Sequence, residues 1–171
     1  MRSIFARISA PTVIAVVAAL VLGSLFVGSA FAVGKPSKNI VQVAREAGSF
    51  KTLLAALEAA DLVGTLSGQG KGPFTVFAPT DAAFAKLPPG TVESLLANPA
   101  ALKNVLLYHV VPGELGSADV VSRSSLTMAN GKTTSISTVG GARINDSKIT
   151  ATDIEARNGV IHVIDTVLIP R

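Results

Sequence analysis

Apolar residues recur at helical spacing over Ile40, Val43, Ala44 and Ala47, and again over Phe50, Leu53, Leu54, Leu57 and Ala60. Steps of three and four residues lay a stripe along one side of a helix, and such stripes usually face a core. Asn39 stands at the N-cap position of the first helix and Gly48 just past its end; Ser49 is expected to cap the second, Phe50–Leu62. A polar, glycine-rich loop follows over Ser67–Pro73. The period then changes. Phe74, Thr75, Val76 and Phe77 read as a strand buried on most of its surface, and Pro79, lacking an N–H, ends its pairing. Thr80 is placed to cap a short helix, with Asp81 in its first turn and Phe84 and Leu87 on its apolar side. Pro88, Pro89 and Gly90 stop that helix. Strand, corner and helix within fourteen residues make this stretch a hinge of the core.

Further on, Thr91 is expected to cap Val92–Ala97, and Asn98 with Pro99 to start a helix burying Leu102, Val105 and Leu106. Tyr108–Val111 reads as extended, closed by Pro112-Gly113, and Ser117 as the cap of a brief helical turn. From Leu126 onward strands dominate. Asn130-Gly131 predicts a hairpin between Leu126–Met128 and Thr133–Val139, and Asn158-Gly159 one between Ile149–Ile154 and Val160–Ile169. Gly140-Gly141 and Asp146-Ser147 mark the turns between. Helices followed by a run of antiparallel strands argue for an α+β fold, a twisted sheet or small sandwich with helices packed on one side and end.

Three of these segments resemble one family. FTVFAPTDAAF, Phe74–Phe84, is similar to the first signature of fasciclin domains, the module of extracellular adhesion proteins. NGVIHVIDTVLIP, Asn158–Pro170, resembles the second signature, and LYHVVPG, Leu107–Gly113, the tyrosine–histidine segment between them. The resemblance covers about residues 37–171. It implies a wedge-shaped β-sandwich with several helices and a non-catalytic role in adhesion. It also implies that Phe74, Phe77, Pro79, Thr80, Asp81, Phe84, Asn158, Gly159, His162 and Asp165 largely build the framework. In related animal matrix proteins an aspartate–isoleucine pair and the tyrosine–histidine segment are implicated in integrin-mediated adhesion. The matching positions, Asp153-Ile154 and Tyr108-His109, are therefore the candidate partner-facing residues, although Thr152 and Glu155 replace the flanking proline and methionine. The residues taken alone read more plainly: Asp153 as a solvated carboxylate near a turn, Tyr108 as a core aromatic with its hydroxyl paired.

Length and charge narrow the picture further. The 171 residues suffice for one ordinary domain. Arg2 and Arg7 precede an uncharged stretch, Ile8–Gly34, that includes the small-x-small pattern Ala30-Phe31-Ala32. Residues 1–32 are read as a cleaved signal peptide or a retained anchor through residues 8–33, 33–36 as a linker, and 37–171 as the domain. The expected location is exported, periplasmic or extracellular. Arg2 and Arg7 are two of 15 basic residues, leaving 13 against 11 acidic ones and a net charge of +2. That balance does not point to nucleic acid, and contact with a membrane follows only if the N-terminal segment is retained. The absence of cysteine rules out disulfides and thiolate metal sites.

No Gly-x-Ser-x-Gly elbow is present, the only two histidines lack metal-site spacing, and the glycine-rich loop precedes a strand instead of following one. Neither an enzyme nor a cofactor is expected. His109 and His162 are read as buried neutral imidazoles with both nitrogens satisfied, Thr80, Asp81 and Asp165 being candidate polar partners. Asn145-Asp146-Ser147 matches a glycosylation acceptor but is read as a turn. The leading expectation is an adhesion or surface-interaction module whose partner is a protein or polysaccharide at a cell surface or matrix. The alternative is a cell-envelope carrier of a small ligand, haem or lipid, which for haem needs an exposed histidine.

Overall fold

The structure, a computed structural model, describes residues 36–69 and 72–170. The expected signal segment and nearly all of the linker lie outside these residues. Helix α1 (Ile40–Ala47) begins at a reciprocal capping box: Asn39 Oδ1 accepts from the Gln42 N–H at 2.9 Å, and Gln42 Oε1 accepts from the Asn39 N–H at 3.0 Å. Gly48, at φ 71°, ends it in the left-handed conformation. Helix α2 (Lys51–Ala59) follows, then a wide turn over Thr65–Gln69. Strand β1 (Phe74–Pro79) runs into α3 (Asp81–Ala85), where Thr80 Oγ1 accepts from the Ala83 N–H. Then come α4 (Thr91–Leu96), α5 (Pro99–Leu107), β2 (Val110–Pro112) and α6 (Ser117–Val121). The chain finishes with β3 (Ser125–Thr127), β4 (Thr133–Ser137), β5 (Arg143–Ile144), β6 (Ser147–Ala156) and β7 (Gly159–Ile164).

Three expected caps are corrected. Ser49 is not the cap of α2: Phe50 holds that position without a side-chain bond, while the Ser49 hydroxyl turns back to the Ala47 carbonyl. Thr91 and Ser117 are first helical residues, preceded by Gly90 and Gly116 as caps. Glycine at the α4 cap has a local cause, since φ there is 84°.

The sheet order is β2-β1-β7-β6-β5-β4-β3. Every neighbouring pair is antiparallel except β1 and β7, which run parallel from Phe74 opposite Gly159 to Pro79 opposite Ile164. The fold is α+β as expected, but its sheet is mixed. No hairpin joins β1 to β7, and both are buried almost throughout, as central strands covered on two faces must be. Strand β7 also ends at Ile164, five residues short of the expected Ile169. Beyond it, backbone groups of Thr166 and Leu168 bond to the side chains of Ser147 and His109 instead of to a neighbouring strand.

Alternation in the two central strands serves two cores. Val76, Ala78, Ile161 and Val163 pack against α1, α2 and α5. Phe77 and Ile164, on the other face, join Val111, Val120, Leu126, Met128, Ile136, Ile144 and Ile149. For β3 and β4 to share a core with Phe77, the far edge of the sheet must curl back over it. The Ala129 N–H accordingly reaches the Val110 carbonyl at 2.7 Å, joining the two ends of the strand order.

Candidate functional site

The signature residues meet at the corner where β1, β7 and the helices converge. Asp81 leaves β1 with its N–H on the Ser49 carbonyl, 2.9 Å away, and its carboxylate accepts from the N–H groups of Thr52 (2.8 Å) and Lys51 (3.3 Å). The charge thus caps α2 from another element, meeting the positive end of that helix. The Thr52 N–H is the main cause of a carboxyl pKa below the usual value.

His109 is 2% exposed and joins α5 to the C-terminal segment. Its Nδ1–H donates to the Val105 carbonyl at 2.8 Å, and its Nε2 accepts from the Leu168 N–H at 2.9 Å. Those bonds require the neutral Nδ1-protonated tautomer. Burial pulls its pKa down to about 4 against the opposing pull of the Val105 carbonyl. His162 is fully buried; its Nε2–H donates to the Leu115 carbonyl at 2.9 Å and its Nδ1 accepts from the Asp153 N–H at 3.3 Å. The ring lies 5.4 Å from that of Phe77. Both imidazoles use backbone partners; neither bonds to Thr80, Asp81 or Asp165.

Asn158 and Gly159 fasten the other side of the corner. Asn158 Oδ1 accepts from the Ile40 N–H at 3.0 Å, its Nδ2 donates to the Leu66 carbonyl at 2.7 Å, and its own carbonyl takes the Phe74 N–H at 3.0 Å. One asparagine therefore holds the start of α1, the wide turn and the start of β1. The two residues between β6 and β7 are Arg157 and Asn158, so Gly159 opens the strand instead of completing the turn. Asp165 accepts from the Lys148 N–H at 2.9 Å and the Thr166 hydroxyl at 3.0 Å, and pairs with Lys86 at 3.3 Å. Burial pushes its pKa up, but these bonds prevail and hold it low.

Of the four candidate partner-facing residues, Tyr108 and His109 are in the interior, Tyr108 only 5% exposed. The Tyr108 hydroxyl donates to the Thr133 carbonyl and accepts from Asn145 Nδ2, both at 3.2 Å. An expectation that this pair touches a partner does not fit such burial. Ile154 is half-buried against the helical core. Asp153 is exposed, yet it lies inside β6, not in a turn, at φ 57° in a stretch where the pairing register slips. Its Oδ1 accepts from the Ser117 N–H at 2.7 Å, and Ser117, through side chain and backbone, lowers its pKa. Among the structural residues, Phe77 is fully buried, Pro79 buried, and Phe74 and Phe84 half-buried. Asn145 sits in the turn expected of it, with Oδ1 on the Ser135 N–H at 2.8 Å and Nδ2 on Tyr108.

A groove of about 900 Å³ opens beside Tyr108, between the β4 residues Thr133 and Ser135, the turn at Asn145, and the C-terminal Thr166–Ile169. Sequence reasoning missed it, because its walls come from segments far apart in the chain. The hydroxyl-rich alternation of Thr133–Ser137 was the only local hint. Among the described residues no group of three or more histidine and acidic side chains is placed to hold a metal ion.

Residues 48–170 match the Fasciclin domain family. The chain is 46% identical over 131 residues to an uncharacterized protein of Synechocystis, covering 77% of this chain and 97% of that one. It is 36% identical over 136 residues to the transforming growth factor-beta-induced protein ig-h3 of Sus scrofa, covering 79% of this chain but 20% of that protein. Among solved structures it is similar in fold to a FAS1 domain pair from the insect cell adhesion molecule Fasciclin I, with a TM-score of 0.69 at 19% identity, covering 79% of this chain and 52% of that one.

Proposed function

The chain belongs to the fasciclin-domain family, and from that premise we propose that it is an exported, non-catalytic module for contact with a protein or polysaccharide at a cell surface or matrix. The observation that carries this reading is the inward use of the polar signature. His109 and His162 have both ring nitrogens bonded, and Asp81 and Asp153 accept from backbone N–H groups of other elements. A histidine acting as nucleophile or general base needs a ring lone pair free to reach substrate, and the one lone pair of each neutral imidazole is taken by a backbone N–H. These groups instead hold elements together, leaving outward loops and strand faces for recognition. Arg2, Arg7 and the uncharged Ile8–Gly34 supply the route of export. Mass spectrometry of the N-terminus separates cleavage after Ala32 from retention as an anchor.

Adhesion of the purified chain to host cells and to their extracellular polysaccharide tests the reading. Saturable binding to one of these surfaces is expected; binding to none of them removes it. The groove beside Tyr108 supports a second reading, a small-ligand carrier, since its volume lies within the roughly 300–1,000 Å³ typical of ligand sites. Haem ligation by either histidine requires breaking one of its two hydrogen bonds. A haem titration without a Soret shift eliminates that version and leaves an apolar ligand such as a lipid.

A further inference from the structure

The outward face of β4, β5 and β6 carries two cations that sheet packing does not explain. Arg143 of β5 is paired directly with Lys148 of β6 on one side and with Ser137 of β4 on the other, and all three are exposed. Directly opposed residues in an antiparallel ladder have Cβ atoms about 4.5–5.5 Å apart, where opposite charges stabilise and like charges destabilise. Here both are positive. The ion pairs among the described residues join Lys38 to Glu46, Arg45 to Glu58 and Lys86 to Asp165, so no carboxylate of the described residues lies within 4.0 Å of either cation. Asp165, the acid bonded to the Lys148 backbone, already pairs with Lys86. Nor is the pair a by-product of a basic protein, since beyond Arg2 and Arg7 the chain has 13 basic residues against 11 acidic.

We infer that Arg143 and Lys148 form a docking site for a polysaccharide bearing carboxylate or sulfate groups, laid across the outward face of β4, β5 and β6. The surface is an open sheet face, suited to an extended polymer more than to an enclosed small molecule. Ser135 and Ser137, exposed on the same face of β4, add hydroxyls beside the two charges, matching the hydroxyls and anions of an acidic glycan. An anionic lipid surface is the competing occupant, because Val139, 84% exposed in the β4-to-β5 turn, stands nearby in sequence. A single valine beside serines is a poor membrane anchor, so the glycan is favoured. The inference rests on the surface-contact reading and specifies the chemistry of its partner.

The test measures binding of the full purified chain to a polyuronate, to dextran sulfate and to phosphatidylcholine vesicles containing phosphatidylserine as a function of salt, with neutral dextran as control. Three proteins are compared: the unsubstituted chain, R143S/K148S, and K103S/R123S, which removes the same charge from exposed positions outside β4, β5 and β6. A cooperative thermal melt from each establishes that all three are folded. The unsubstituted chain and K103S/R123S are expected to bind at least one acidic polymer. R143S/K148S should bind it at least tenfold more weakly, with a slope of log K against log salt shallower by about 2, one for each cation removed. Preference for polyuronate or dextran sulfate then identifies carboxylate or sulfate as the anion recognised. Equal loss in both double variants, no binding to either polymer, or binding only to anionic lipid vesicles overturns the inference. Adhesion to host cells and to their extracellular polysaccharide is measured in parallel: adhesion without polymer binding overturns the docking site but not the surface-contact reading, whereas site-dependent polymer binding without attachment to either of those surfaces overturns the surface-contact reading but not the docking site.

Discussion

At Gly159 a Cβ built on the backbone would overlap the carbonyl oxygen of Phe74 and lie 2.7 Å from its carbon, in a residue whose φ is 150°. Close approach and conformation both exclude a side chain there. Gly159→Ala is expected to cost about 3 kcal/mol or more by forcing β1 and β7 apart; an unchanged urea midpoint would show that the two strands can separate freely at this end. His109 yields a prediction of a different kind. Its folded pKa of about 4 lies below its ordinary 6.5, so the unfolded chain binds the proton more readily. The neutral ring's contribution is therefore complete above pH 6.5 and is lost as pH falls through 6.5 toward 4, by about 3 kcal/mol in all. The urea midpoint should decline across that window, and His109→Gln should flatten the decline while lowering stability at pH 7. Asp81, Asp153 and Asp165, with lowered carboxyl pKa values, add their losses at lower pH, below the histidine window.

Helices α1 and α2 are alike in length and apolar pattern but begin in different ways. The first carries its own capping box; the second has no side-chain cap of its own and borrows Asp81 from the start of α3. Helices of eight or nine residues do not persist alone, so each depends on its caps and packing. Asp81→Ala is expected to cost about 1 kcal/mol. Hydrogen exchange should show lost protection at the start of α2 while α1 stays protected; an equal change in both helices would refute the cross-element cap. Asp153 plays a comparable part between β6 and α6, so removing its carboxylate should expose the Ser117 amide. Simple solvation, the reading its sequence position invited, would leave that amide unchanged.

The parallel pairing of β1 with β7 joins Val76 to Ile161, about 85 residues apart. Contacts of such separation form late and make folding slow, because the intervening chain must be ordered before they return any stabilisation. Every helix of the described domain precedes β7, yet Ile161, Val163 and Ile164 supply both cores, and Asn158 holds three elements together. Deleting residues 158–171 is therefore expected to abolish cooperative unfolding, measured by circular dichroism during heating, despite retention of every helix. A sharp melt in the truncated chain would show that the helical layer folds without the last strand.

Features set within four or five residues were legible in the sequence. Asn39, Thr80 and Asn98 cap helices where their spacing from apolar residues predicts, the hairpin at Asn130-Gly131 forms, and Phe74–Phe77 belongs to a buried strand. The corner of β1 and α3 likewise identified the family. What lay beyond reach had partners distant in the chain. Ser49 gave way to Asp81 some thirty residues later, β1 found a parallel neighbour, and β7 stopped at Ile164 where His109 and Ser147 captured the backbone. The same holds for function: motif resemblance singled out Tyr108, His109, Asp153 and Ile154, whereas the opposed cations Arg143 and Lys148 emerge only from strand register. Caps and hydrophobic periods depend on neighbours fixed by covalent spacing. Burial, strand direction and cross-strand charge depend on which distant segments meet, and only the folded chain decides that.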